Sequence, residues 1–336
     1  MIVTITGAYK NAGDHLIGLR AKQLLETFVD ADVINMDRKQ TIDYELLNSA
    51  RMVLLTGGPA LQPAVFPDVY SLDLSKINVP VTMFGLGWKA GLGKTVGEFA
   101  FKPDASVFLD SLAQQELPVS ARDFSSAELL KTKGFSEVLM TGCPAWYEIE
   151  KIEADYDLPA EINSVVLTAP AIPNQQMLKI AKDIKKQFPN AEKTLLFQSG
   201  FSSTHSKKSV EYSKTLNRFR SKLARAGWQV VSSESEVTKM MSVLTEADLH
   251  VGYRVHSHLF MLSQRKASLL IAEDARGESQ NNTLGLADLN TLSSAAEIKN
   301  QMMNVIENPE VINSAIGQMR QSYQQMQEYL AKLKVL

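Results

Sequence analysis

The sequence predicts an α/β protein of two domains, each built on a parallel β-sheet, and three observations support this. Short apolar runs alternate with longer amphipathic helical patterns, which is typical of βαβ units. The 336 residues exceed what one hydrophobic core usually serves. An acidic stretch without a strand pattern, residues 148–158, separates two such series. We therefore expect two Rossmann-like domains with a cleft between them.

The first domain is expected to span residues 1–152. Its clearest helix covers residues 14–28, where apolar side chains recur every three or four positions and so share one face. The predicted strands lie at residues 2–6, 33–36, 52–56, 81–85, 119–121 and 138–141.

The second domain is expected to span residues 153–290 and to repeat the same alternation. Its helices are predicted at residues 175–187, 211–226, 236–246 and 256–264. Its strands are predicted at residues 165–168, 194–198, 229–232, 249–253 and 269–272.

The C-terminal segment, residues 291–336, is predicted to be helical. Its last helix, residues 311–333, carries an apolar stripe at alternating spacings of four and three. Such a stripe packs either against the protein's own domains or at an oligomer contact, and the sequence does not separate the two. The stripe consists of Ile312, Ile316, Met319, Tyr323, Met326, Leu330 and Leu333.

Composition excludes several classes of protein. A formal net charge of −2 provides no basic surface for a nucleic acid. The single cysteine, Cys143, cannot form an internal disulfide and fits a reducing compartment. The N-terminus lacks an export signal, and no apolar run is long enough to cross a bilayer. We expect a cytoplasmic protein whose membrane association, if any, is peripheral.

Function is expected at the turns that follow the strands, because parallel sheets bind ligands at their carboxyl ends. The first turn, residues 7–14, contains Asn11 and Gly13, whose backbone can approach an anion at a helix start. Asp14 is equally well explained as a helix N-cap or as a group that binds hydroxyls or moves a proton. The spacing is not that of a dinucleotide fingerprint, which argues against a nicotinamide cofactor.

Two further turns are rich in glycine. Gly57 and Gly58 follow the third strand and either form a tight turn or approach a substrate closely. Residues 85–95 resemble a P-loop but have Trp88 where the motif needs glycine. They are expected to form a flexible loop in which Lys89 contacts substrate or simply lies at the surface.

Two later turns carry cationic side chains. Arg122 follows a strand, where it either clamps a carboxylate or phosphate or pairs with Asp123. Arg254 and His256 stand two positions apart at the junction of residues 252–258. In extended backbone both would point the same way and form a fork of donors beside a titratable group.

The other two histidines of this junction are weaker candidates. His250 lies within the apolar strand pattern and is expected to be structural, whereas His258 remains open. No cysteine or carboxylate stands at ligand spacing, so a metal site is poorly supported.

In this order, the turns resemble those of the polysaccharide pyruvyl transferase family. Residues 11–14 resemble its Asn-x-Gly-Asp turn, and residues 56–59 resemble its glycine-rich second turn. The segment that starts at Arg122 is similar to its Arg-Asp-x-x-Ser segment, and residues 252–257 are similar to its Gly-x-Arg-Leu-His signature. The resemblance covers roughly residues 1–285.

The resemblance implies a fold like that of GT-B glycosyltransferases and transfer of pyruvate from phosphoenolpyruvate to a sugar as a ketal. The acceptor would belong to a cell-surface polysaccharide or exopolysaccharide, or to its lipid-linked precursor. Arg254, His256 and Arg122 would hold the donor, with His256 and Asp14 as catalytic candidates. The family's chemistry needs neither a metal nor an organic cofactor.

The sequence departs from the family pattern on the acceptor side. Gly142-Cys143-Pro144 stands where the family usually has Gly-Asp-Pro, and residues 271–277 lack its Tyr-Lys pair. We assign acceptor contact to residues 199–208, with His205 as the candidate. The alternatives are a nucleotide-sugar glycosyltransferase that uses Glu273, or a non-catalytic scaffold that acts through the last helix.

Overall fold

The first half of the chain forms two parallel β-sheets in the computed structural model, which describes residues 1–7, 11–171, 174–199 and 210–336. Its strands are β1 (Ile2–Thr6), β2 (Val33–Asp37), β3 (Met52–Thr56), β4 (Val81–Phe84), β5 (Val119–Ala121) and β6 (Val138–Met140). They are arranged as a four-stranded sheet in the order β2-β1-β3-β4 and a β5-β6 pair. A bridge between Leu86 and Ala121 continues the first sheet into the second.

The second half forms one five-stranded parallel sheet. Its strands are β7 (Ser164–Thr168), β8 (Glu192–Phe197), β9 (Gln229–Ser232), β10 (Leu249–Gly252) and β11 (Ala267–Leu270). Their order is β11-β10-β7-β8-β9, so β7 and β10 lie at the centre and are buried on both faces.

Helices follow the strands and cover the sheets. The first half contributes α1 (Ala12–Phe28), α2 (Tyr44–Ser49), α3 (Pro103–Ala113) and α4 (Phe124–Thr132). The second half contributes α5 (Gln175–Gln187), α6 (Val210–Arg225), α7 (Val237–Thr245), α8 (Val255–Ser263) and α9 (Ala275–Leu284). The chain ends with α10 (Ala295–Glu307) and α11 (Pro309–Val335).

The predicted strands are all present, and the largest displacement is in the last of them. The apolar run predicted a strand at residues 269–272, whereas β11 is Ala267–Leu270. The run continues past the strand because Ile271 still bonds the Gly252 carbonyl and Ala272 then bonds Leu289. Apolar pattern therefore locates this strand but does not mark where its pairing in the sheet ends.

Helix α9 joins the two halves through polar contacts. The Trp88 indole donates to Ser279 Oγ at 2.8 Å, and the Trp146 indole donates to Gln280 Oε1 at 2.9 Å. The Phe124 backbone N–H donates to Thr283 Oγ1 at 3.2 Å. These contacts fix the start of α9 at the boundary between the domains, where the cleft lies.

Helix α11 runs along both halves and buries its apolar stripe within the chain. All seven stripe residues are buried, and the Tyr329 hydroxyl donates to the Met83 carbonyl at 2.7 Å. Tyr323 packs edge-on against Phe28 of α1. The stripe thus serves the packing of the protein's own domains. Among the described residues, no helix is both long enough and apolar enough to span a membrane.

Candidate active site

A cleft lies between the two halves, at the carboxyl ends of the strands. Its walls come from the turns after β5, β8, β10 and β11 and from the start of α1, as the sheet rule predicts. The lining residues are Asn11, Arg122, Gln198, Tyr253, Arg254, Val255, His256, Glu273, Asp274 and Arg276. The cleft is therefore strongly polar, with three arginines, two carboxylates and a histidine.

Arg254 is positioned by a tight junction after β10. Gly252 has φ of +150°, and a Cβ there would lie 2.3 Å from Thr168 Oγ1. Only glycine fits this approach, which lets Thr168 Oγ1 accept the backbone N–H groups of Tyr253 at 3.1 Å and Arg254 at 3.3 Å. The Arg254 Nε then donates to the Ala169 carbonyl at 2.9 Å, which orients the guanidinium.

His256 lies in the same cleft, but not because the backbone is extended. Arg254 is the N-cap of α8, so His256 belongs to the first turn of that helix. The prediction that extended backbone points both side chains the same way was therefore wrong. Burial, followed by the charges of Arg122 and Arg276, lowers the pKa of His256 to about 3. The imidazole is therefore neutral at pH 7. Its buried Nε2 has no hydrogen-bond partner among the described residues.

Gly13 allows α1 to approach this histidine closely. A Cβ on Gly13 would lie 2.5 Å from His256 Nδ1 and 2.3 Å from Gln198 Nε2. The requirement is steric, and any larger side chain would push both cleft residues away from α1. Gly13, which the sequence predicted to approach an anion, makes room for these two cleft side chains.

Arg122 pairs with Asp123, as one sequence interpretation predicted, and it also lines the cleft. Its Nε donates to Asp123 Oδ2 at 3.1 Å, and its Nη2 donates to the Trp88 carbonyl at 3.3 Å. Asp123 also caps α4 by accepting the Ser126 N–H at 2.8 Å. Both charged side chains are almost completely buried.

Cys143 occupies the position where the family resemblance leads one to expect an aspartate. The thiol is completely buried, and burial raises its pKa to about 11 despite the charge of Arg122 nearby. It is neutral at pH 7, so it adds no negative charge beside Arg122.

The start of α9 contributes three cleft residues that the sequence argument did not assign to the donor site. Arg276 donates through Nε and Nη2 to Asp274 at 2.6 to 2.9 Å, and Asp274 caps the helix. Glu273 accepts the Ala171 N–H at 2.7 Å, and burial raises the pKa of its carboxyl. The sequence signal that could have identified these residues is their position as a cluster of charged side chains shortly after β11.

Asp14 is not the N-cap of α1, so its structural explanation was wrong. The cap is Asn11, which accepts the Gly13 N–H at 3.1 Å, and Asp14 is the third residue of the helix, within its first turn. Burial raises the pKa of Asp14, while Arg38, Arg276, Arg122 and His15 oppose that shift. The carboxylate thus lies within electrostatic reach of the cleft, although it does not line it.

The glycine turns have structural explanations. Gly57 and Gly58 have φ of +59° and +72°, and neither lines the cleft. A Cβ on Gly57 would lie 2.1 Å from Ile17 Cγ2, so this turn sets the packing of α1. His205, the predicted acceptor contact, lies outside the described residues.

The loop of residues 85–95 is held in place rather than loose. Besides the Trp88 contact with α9, its Ala90 carbonyl accepts the Ala275 N–H at 3.2 Å and its Gly93 N–H donates to Glu278 at 2.9 Å. Lys89 projects from this loop as an exposed side chain within electrostatic reach of Arg276 and Asp274.

Two buried histidines, His250 and His258, belong to a hydrogen-bond network beneath the turn that follows β10. His250 bonds Thr168 Oγ1 at 2.9 Å and Ser268 Oγ at 2.8 Å, and His258 bonds the same serine at 2.8 Å. Because Thr168 already accepts two N–H groups, its hydroxyl must donate to His250. Both histidines are therefore placed as structural, neutral side chains.

These histidines predict acid sensitivity. Burial lowers the pKa of His258 to about 3, below the unfolded value of about 6.5. Its contribution to stability is complete above pH 6.5 and is lost as pH falls towards 3, because the unfolded chain then binds the extra proton. We propose the variant His258→Asn, which keeps a partner for Ser268. Below pH 6 its free energy of unfolding should fall with pH less steeply than that of the wild type, and the two slopes should differ by up to about 1.4 kcal/mol per pH unit. Denaturant titrations at pH 7.5, 6.5 and 5.5 measure this, and parallel curves for the two proteins would contradict it.

Comparison with known proteins gives a family match over most of the chain and a fold match over all of it. The family model described as Polysaccharide pyruvyl transferase matches residues 11–274. No match was found among curated protein sequences.

Similar solved structures share the fold at low identity. Staphylococcus aureus MnaA with UDP is 12% identical with a TM-score of 0.57, covering 96% of this chain and 91% of that one. UDP-GlcNAc 2-epimerase from Neisseria meningitidis is also 12% identical with a TM-score of 0.57, and the match covers 98% of this chain and 99% of that one. A glycosyltransferase from Rickettsia africae is 12% identical with a TM-score of 0.53, and the match covers 99% of this chain and 97% of that one. The likeness is to the fold, a GT-B-like arrangement of two Rossmann-like domains, as predicted.

Proposed function

This chain belongs to the polysaccharide pyruvyl transferase family, and from that premise we propose that it transfers pyruvate from phosphoenolpyruvate to a sugar as a ketal. The observation that carries the proposal is the convergence of Arg122, Arg254 and His256 in one cleft. The family pattern assigns donor contact to these three positions, of which Arg122 lies far from Arg254 and His256 in the sequence.

The charge of the cleft suits this donor. Phosphoenolpyruvate presents a carboxylate and a phosphate, both of which arginine binds with paired hydrogen bonds. Arg276 adds a third guanidinium, already held in a fixed orientation by Asp274. Because the groups are held before the donor arrives, little ordering is required on binding.

The reaction needs an acid at the methylene carbon of the donor. Protonation of C3 makes C2 electrophilic, and one sugar hydroxyl adds to C2. The C2–O bond to phosphate then breaks, and a second hydroxyl closes the ketal. The two sugar hydroxyls release two protons in total. One returns to the acid that protonated C3, and the other leaves with phosphate or enters solvent.

His256 and Glu273 are the two candidates for this acid. His256 is neutral at pH 7 without an anion beside it, but the phosphate dianion and carboxylate of bound phosphoenolpyruvate would favour the imidazolium and raise the pKa of His256. Glu273 has a raised pKa through burial and lines the same cleft. Asp14, whose pKa is also raised, is the candidate for accepting a proton from a sugar hydroxyl.

Ligand-dependent thermal stability tests the donor. We expect phosphoenolpyruvate to raise the Tm, by several degrees at 100 times its Kd. Inorganic phosphate and pyruvate serve as controls for a general anion effect. Stabilisation by UDP- or GDP-sugars without any by phosphoenolpyruvate would reject the proposal.

That last outcome would favour the glycosyltransferase alternative. One observation keeps it in view: Glu273 follows β11 and faces the cleft, where a carboxylate could accept ribose hydroxyls. The three arginines and the family pattern favour phosphoenolpyruvate.

A further inference from the structure

We infer that the first domain carries a second anion-binding subsite, formed by Arg38, Tyr70 and Lys89, which holds a negatively charged group of the acceptor sugar. The inference rests on the proposed function, because it assigns the acceptor side of the same reaction. We call these three residues the Arg38 subsite.

Arg38 is the central element of the subsite. It directly follows β2, and its backbone N–H donates to the Thr6 carbonyl at 3.2 Å, which fixes it at the carboxyl edge of the sheet. Its Nε and Nη1 are buried and have no hydrogen-bond partner among the described residues. Buried guanidinium N–H groups are nearly always paired, so two unpaired ones indicate a missing acceptor.

Tyr70 supplies a further donor next to Arg38. Its side chain is 2% exposed, and its hydroxyl also lacks a partner among the described residues. Burial raises the pKa of this hydroxyl to about 12, even though the charge of Arg38 and hydrogen bonding from its side chain oppose the shift, so the two groups lie next to each other. The hydroxyl therefore keeps its proton and can donate it to an anion.

Lys89 and Asp14 connect the subsite to the donor cleft. The Lys89 side chain is exposed overall, but partial burial of its ammonium lowers the pKa of that group, and Arg276 and Arg38 lower it further, so the ammonium lies within electrostatic reach of both sites. Asp14 interacts with Arg38 on one side and with Arg276 and Arg122 on the other. A sugar hydroxyl at Asp14 could therefore face the donor while a charged substituent reaches Arg38.

The chemistry of the subsite selects an oxyanion. The guanidinium and the ammonium provide only donors and two positive charges, and the protonated phenol can supply one more donor, which together match a phosphate ester or a carboxylate. A phosphate would belong to a nucleotide-linked or lipid-linked sugar, and a carboxylate to a uronic acid. The shared feature is an anionic group on the acceptor.

Three sugars of matched ring structure test the inference: galactose, galactose 1-phosphate and galacturonic acid. Their affinities are measured by calorimetry, with and without saturating phosphoenolpyruvate. We expect at least one anionic sugar to bind about 10-fold or more tightly than galactose. A larger gain for the phosphate indicates a linked precursor, and a larger gain for the carboxylate indicates a uronic acid.

Variants separate the subsite from the donor cleft. Arg38→Gln should remove the advantage of the anionic sugar, and Tyr70→Phe, which deletes a single hydroxyl, should reduce it even if Arg38→Gln folds poorly. Lys39→Gln, at the adjacent exposed position, should preserve it. Equal binding of all three sugars, or an advantage that survives both Arg38→Gln and Tyr70→Phe, would overturn the inference. Failure of phosphoenolpyruvate to bind the wild type would instead reject the proposed function.

Discussion

Replacing Arg254 with alanine should weaken phosphoenolpyruvate binding by about 100-fold or more while leaving the fold intact. Removing one member of a buried, hydrogen-bonded charge pair costs about 2–5 kcal/mol, and 100-fold corresponds to about 2.7 kcal/mol. Arg254 is only half-buried, at the N-cap of α8 and outside the hydrophobic core, and its Nε donates to the Ala169 carbonyl. Its loss should therefore change affinity far more than Tm.

Calorimetric titration with phosphoenolpyruvate measures the effect. Arg254→Lys keeps the charge but not the planar fork, so we expect it to recover only part of the affinity. Arg225→Ala removes an exposed arginine of the same domain and should bind like the wild type. An Arg254→Ala protein that binds the donor as tightly as Arg225→Ala would show that Arg254 does not hold it.

The convergence of Arg122 and Arg254 in the cleft could be predicted because the rules involved are local. Arg122 directly follows β5 and Arg254 stands two residues after β10, and parallel strands bring their carboxyl ends to one edge. Identifying the strands was therefore enough to bring these side chains together. Arg254 and His256 were paired for the wrong reason, since the helix begins at Val255, before the extended backbone reaches the histidine.

Other features of the cleft could not be predicted from the sequence, because they depend on contacts between distant segments. Arg276 enters the cleft because α9 is held against the first domain by Trp88 and Trp146. The same contacts hold the loop of residues 85–95, whose glycine content alone suggested flexibility. The unpaired donors of Arg38 likewise follow from burial, which composition does not reveal.

The N-terminal cap of α1 shows a different limit. Asn11 and Asp14 are both good capping residues three positions apart, and local propensity does not choose between them. The choice is made by packing, because Gly13 must lie within the helix to fit against His256 and Gln198. Once Asn11 takes the cap, Asp14 becomes available for another role.

Arg122→Met should reduce both stability and donor binding. Asp123 is completely buried, and without its partner it keeps only hydrogen bonds from Ser126 and Gln280. Breaking a buried ion pair by removing one partner costs about 3–5 kcal/mol of unfolding free energy. Methionine is chosen because it is unbranched and fits the narrow channel beside Gly87, where a Cβ would lie 1.8 Å from Arg122 Nε.

The double variant Arg122→Met/Asp123→Asn separates the two effects. Asparagine can still cap α4 but carries no charge, so most of the lost stability should return. Donor affinity should remain reduced by about 30-fold or more, because no cation replaces the guanidinium. Denaturant unfolding and calorimetry on the same preparations measure both quantities. If affinity returned together with stability, Arg122 would act only through the ion pair, and donor binding would fall to Arg254, Arg276 and His256.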